Sequence, residues 1–80
     1  MHKKEIGLTD IGKKLKFLRI KAGYTSFENF AIEHDISSSY YWKTEQGLVN
    51  IGMKYFLKLL KIHAVTPKDF FESISDISID

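Results

Sequence analysis

Apolar residues recur along the chain at helical spacing, in five short runs separated by capping and turn residues. Ile11, Leu15 and Leu18 form one stripe and predict a helix from about Thr9 to Ala22, closed by Gly23 in a left-handed conformation. A second helix is expected from about Ser26 to His34, with Phe27, Phe30 and Ala31 inward. Thr25 and Glu28 have capping-box spacing, and Ser26 is an equally good cap. The third begins after Ile36 with Ser37 as N-cap and ends at Gly47, with Tyr41 and Thr44 inward. The fourth is expected after Asn50, a good cap, and runs to about His63. Met53, Phe56, Leu57 and Leu60 give it an apolar face. The fifth opens on Thr66-Pro67-Lys68-Asp69, an N-cap, a proline at the first helical position and an acid near the positive helix end. Phe70, Phe71 and Ile74 follow as its inward residues. No segment alternates convincingly as a strand. The pattern predicts an all-α fold, a compact five-helix bundle over residues 9–74. Residues 1–8 read as an N-terminal arm, and residues 75–80 as a short, frayed acidic tail.

The stretch from Phe27 to Gly47 carries the most information. Two short helices meet at His34-Asp35-Ile36-Ser37. Ala31 is small enough for the two helix backbones to approach closely. Ile36 fills the gap between them, and Asp35 takes the turn position that prefers a left-handed backbone.

Composition narrows the function. Eighty residues make one domain. With no cysteine there is neither a disulfide framework nor a thiolate metal site, which fits a reducing, cytoplasmic setting. The charged start, Met1-His2-Lys3-Lys4-Glu5, does not read as a secretory signal, and lysines interrupt every apolar run before bilayer length, so no membrane partner is expected. His2, His34 and His63 lie on separate segments without metal-ligand spacing. Serine, His34 and Asp35 crowd one tight turn and cannot set nucleophile, base and orienting acid in a working geometry. The reading is therefore a non-enzyme, with no metal, no cofactor and no small-molecule substrate.

The net charge of +2 conceals strong segregation. Residues 1–22 carry seven basic and two acidic side chains, and residues 23–47 one basic and four acidic. Residues 48–68 carry four basic and no acidic, and residues 69–80 four acidic and no basic. The two basic blocks suit a polyanion, although a solvated helix face explains Lys13, Lys14, Lys16 and Lys21 more simply.

Residues 11–71 resemble the lambda-repressor/Cro-like helix-turn-helix domain, the XRE family, and the run from Phe30-Ala31 through Tyr41-Trp42-Lys43-x-Glu45 is especially similar to a bacterial branch of it. The resemblance rests on Ile-Gly-Lys-Lys-Leu-x-x-Leu-Arg (11–19), Gly23, Phe30-Ala31, Ile36-Ser37, Lys43-x-Glu45-x-Gly47, Phe56-Leu57-x-Leu59-Leu60 and Phe70-Phe71. No piece is specific alone; their order and spacing together are. The resemblance implies a structural ion pair between Arg19 and Glu45. It also implies a recognition helix over about residues 37–46 that enters the major groove of double-stranded DNA. Ser37, Ser38, Ser39, Tyr40, Trp42, Lys43 and Lys54 become the implied DNA-binding residues, and the amides opening the second helix would face a phosphate. Ser38 and Ser39 can equally be a capped helix start. Trp42 can cover a core edge or stack on the sugar-phosphate backbone.

A symmetric homodimer would set two such helices about one helical turn, roughly 34 Å, apart. Leu48, Val49, Phe71, Ile74 and Ile77 are candidates for its contact. His63 stands where the family has leucine and reads as a packed histidine near a helix C-terminus, where the dipole would favour a charged ring.

The chain departs from the family pattern at several positions. Phe27 replaces a glutamine, Asp35 a turn glycine and Ser38 a longer polar residue. The turn Gly23-Tyr24-Thr25-Ser26 is one residue longer, and Leu48-Val49 lacks a basic residue. These departures, with the acids Glu28, Glu33 and Asp35, support an alternative: a protein-interaction module on the same fold with weak or no DNA binding.

Overall fold

Local capping chemistry starts most of the helices. The computed structural model describes residues 6–78, with side chains through Ile74. Residues 1–5 of the expected arm, His2 among them, and residues 79–80 lie outside the described residues, as does the side chain of Ile77. Helix α1 (Leu8–Lys21) opens where Asp10 Oδ2 accepts the Gly7 N–H at 3.0 Å. Helix α2 (Phe27–Glu33) is capped by Ser26, whose hydroxyl accepts the Asn29 N–H at 3.2 Å. Helix α3 (Ser38–Gln46) is capped by Ser37 and stops at Gly47 with φ 74°. Helix α4 (Met53–Ile62) and helix α5 (Pro67–Ser78) complete the chain, and Thr66 accepts the Asp69 N–H at 3.1 Å to start α5. Among the described residues every regular element is helical.

Two expectations about α4 are corrected. Its N-cap is Gly52, with no side-chain cap, and not Asn50. Its buried residues are Phe56, Leu59 and Leu60, whereas Met53 is 69% and Leu57 43% exposed. The helix is rotated so that Leu59 meets the core, a face that periodicity alone does not single out. Residues 75–78, expected in the tail, lie within the span of α5.

The core joins Leu15 of α1, Phe30 and Ala31 of α2, Tyr41 of α3, Phe56, Leu59 and Leu60 of α4, and Phe70 and Ile74 of α5. Phe30 is its hub, with ring contacts to Tyr24, His34, Tyr41 and His63. The turn between α2 and α3 takes the expected form. Asp35 has φ 59°, and the Ile36 N–H donates to the Ala31 carbonyl at 2.8 Å. Ala64, between α4 and α5, also sits at positive φ, 55°, with no glycine to mark it.

His63 is packed into the bundle, and burial outweighs the helix dipole. Its ring stacks on Phe30 at 5.4 Å between centroids and 4° between planes, and Nε2 is buried without a partner. Burial holds its pKa below the ordinary 6.5, and repulsion from His34 lowers it further. A depressed histidine contributes stability that is full above the unfolded-state pKa and is lost as pH falls through the folded-state value. Wild-type stability should therefore fall as pH drops below about 6.5, and His63→Leu should remove this component. Urea midpoints of the two proteins from pH 8 to pH 5 should diverge towards acid, with the leucine variant ahead. Parallel curves would show that His63 is solvated.

Candidate nucleic-acid interface

Helix α3 has two well-separated faces. Tyr41, Thr44 and Glu45 are buried and fix it to the bundle. Ser39, Trp42, Lys43 and Gln46, spaced three, four and seven residues apart, are all exposed and share the opposite face. No part of the described chain covers that stripe. Trp42 is 40% exposed and stands outside the buried core.

The inner face is held by three sets of contacts. First, Arg19 and Glu45 form a buried, two-bond pair: Nε donates to Oε2 at 2.7 Å and Nη2 to Oε1 at 3.1 Å. Hydrogen bonding to Glu45 raises the guanidinium pKa, against the opposing effect of burial. Arg19 Nη1 also donates to the Tyr24 carbonyl at 2.8 Å, which ties in the turn before α2. Second, Thr44 Oγ1 donates to the Tyr40 carbonyl at 2.8 Å and lies 3.3 Å from the Tyr55 hydroxyl. The Tyr40 and Tyr55 rings meet edge-on at 4.8 Å, linking α3 to α4. Third, Gly12 of α1 lies directly against the carbonyls of Thr44 and Glu45. Tyr41 is fully buried and its hydroxyl has no hydrogen-bond partner. Burial and the neighbouring Glu45 carboxylate push its pKa far up, so it stays neutral.

With 30% sequence identity and a TM-score of 0.70, the chain is similar to the crystal structure of the restriction-modification controller protein C.AhdI from Aeromonas hydrophila, over 80% of this chain and 96% of that one. The chain belongs to the lambda-repressor/Cro-like family of helix-turn-helix DNA-binding domains. No family model and no curated protein matches the sequence.

In this helix-turn-helix domain α2 and α3 are the paired helices. The residues implied as DNA-binding divide by position. Ser39, Trp42 and Lys43 stand on the open stripe of α3. Ser38 and Tyr40 are half-buried at its edges, and the Tyr40 ring is engaged with Tyr55. The Ser37 hydroxyl is spent as a cap: it accepts the Tyr40 N–H at 3.3 Å and lies 3.4 Å from the Ser39 hydroxyl. Lys54 is exposed at the start of α4, next in sequence to Tyr55 and so beside the α3–α4 junction.

Sequence reasoning missed Gln46, which completes the stripe with an amide able to donate and accept. Its spacing from Ser39 and Lys43 was available as a signal. Tyr55 and Gly12 were missed as well, and only their cross-helix neighbours reveal their roles. Among the proposed dimer residues, Leu48 is exposed, Val49 and Phe71 are half-buried, and Ile74 belongs to the core and so is withdrawn from the dimer contact.

Proposed function

We propose that this chain is a sequence-specific transcriptional regulator that lays α3 in the major groove, as a symmetric dimer. The observation that carries it is the open stripe Ser39-Trp42-Lys43-Gln46 on a helix whose opposite face is locked into the bundle. An α-helix fits the major groove, and this stripe offers what groove recognition needs. Lys43 can donate to guanine O6 and N7, and Gln46 can pair with an adenine edge. Ser39 can bond a base or a phosphate, and Trp42 can pack on the sugar-phosphate backbone. Lys54, exposed in the first turn of α4, can reach a phosphate. The role of C.AhdI, control of restriction-modification, supports the regulatory reading. For the dimer, the candidate seat is the apolar groove formed by Leu8, Ile11, Ile51, Met53, Phe56 and Phe71, with exposed Leu48 nearby in sequence.

Fluorescence anisotropy of a labelled random duplex tests the reading. Affinity should fall steeply as salt rises from about 50 to 200 mM, because phosphate contacts release counterions. Lys43→Ala should weaken a selected duplex by about 1–3 kcal/mol while leaving the unfolding midpoint unchanged. Absence of binding at tens of micromolar in low salt removes the proposal and leaves the interaction module, for which the acidic surface of α2 speaks. Binding that Lys43→Ala leaves unaltered in affinity and salt slope would place the reading surface elsewhere.

A further inference from the structure

The outward faces of α1 and α2 are apolar at their centres and opposite in charge, and duplex recognition by α3 uses neither. On α1, Phe17 is 53% and Ile20 48% exposed. Lys13 and Lys21 lie one turn before and after Phe17, with Lys14 and Lys16 beside them. The ammonium groups of Lys14 and Lys21 stand 4.8 and 5.9 Å from the centre of the Phe17 ring. No acidic residue occurs from Ile11 to Ala22, and Asp10 is committed to the helix cap. On α2, Ile32 is 73% exposed. Glu28 lies one turn before it and Asp35 three residues after it, both exposed. Glu33 adds a third carboxylate, one oxygen of which accepts the Tyr24 hydroxyl at 2.8 Å. No lysine or arginine occurs from Gly23 to Trp42.

We propose that the lysine-framed Phe17–Ile20 face of α1 receives the acid-framed Ile32 of α2 from a second copy of this chain, head to tail. The chain itself presents both halves of the contact. Pairing α1 with α1 would oppose lysines and pairing α2 with α2 would oppose carboxylates, whereas α1 with α2 matches charge around two apolar centres. The two surfaces differ, so the contact is heterologous and leaves a free face at each end of a growing chain of copies. Three apolar side chains make a small interface, so the association is weak and salt-sensitive. It is separate from the symmetric dimer and does not depend on DNA.

Sedimentation velocity of the full chain without DNA tests it, at about 10 μM to 1 mM protein and in low or about 0.5 M salt. In low salt the sedimentation coefficient should rise with concentration above that of the basal species, whatever its own state, and high salt should abolish the rise. Phe17→Glu and Ile32→Lys alter exposed positions, keep the helical circular dichroism and should each abolish it. Mixed in equal amounts, the two variants should regain it, because one supplies an intact α2 face and the other an intact α1 face. A wild-type protein that shows no rise, a rise that survives either substitution, or a mixture that stays at the basal value would overturn the proposal.

Discussion

Glu45→Ala is expected to cost about 3–5 kcal/mol of stability, because it strands the Arg19 guanidinium in the interior. Arg19 is 4% and Glu45 5% exposed, so water cannot replace the lost carboxylate. Against the roughly 5–15 kcal/mol that holds a typical domain folded, this leaves the variant with a large unfolded population. Urea denaturation followed by circular dichroism measures the loss. The double variant Arg19→Met/Glu45→Leu should recover most of it, since an apolar pair of similar volume needs no partner. A loss from Glu45→Ala below about 1 kcal/mol, the range of exposed ion pairs, would mean that the pair is solvated in solution.

Gly12→Ala should destabilise by about 3 kcal/mol or more, against the direction that helix propensity suggests. In an exposed helix interior the same change would stabilise by about 1 kcal/mol. Here a Cβ on residue 12 would overlap the Glu45 carbonyl oxygen and stand 2.7 Å from the Glu45 carbonyl carbon and the Thr44 oxygen. These are backbone atoms at the end of α3 and cannot rotate aside, so α1 and α3 must separate. That separation also pulls Arg19 from Glu45. The double variant Gly12→Ala/Glu45→Ala should therefore cost less than the sum of the two single costs. A raised melting temperature for Gly12→Ala would show that the two helices pack farther apart.

The parts legible in the sequence were those written in local chemistry. Ser26, Ser37 and Thr66 each cap the helix that follows, and Asp35 takes the left-handed turn. Each such signal needs only a few neighbouring residues. The orientation of α4 was not legible. Met53, Phe56, Leu57, Leu59 and Leu60 supply two overlapping apolar stripes, and packing against α5 decides between them. Phe56 meets both Phe70 and Phe71 of that helix. The start of α4 was obscured because Asn50 has the chemistry of a cap without its position. Ala64 adopts a left-handed backbone that its side chain does not advertise. The inner face of α3 was foreseen in Tyr41 and Thr44, yet Gly12 and Tyr55 gain their meaning only from helices distant in sequence. His63 shows the same limit. The helix end was visible, but the Phe30 ring that desolvates it was not.

From α1, Arg19 grips two things at once: the Tyr24 carbonyl and the last turn of α3. Helix α3 is thus clamped hardest at its heel, while Ser38 and Ser39 stand at its toe. A nine-residue helix is about 13 Å long, so a tilt of about 10° at the heel sweeps the toe through about 2 Å. That sweep is enough to exchange one hydrogen-bonding partner for its neighbour. If α3 reads a duplex as proposed, the pitch at which it would do so is written in an interior clamp, and reshaping the clamp would retune the preferred base sequence without altering a single outward side chain.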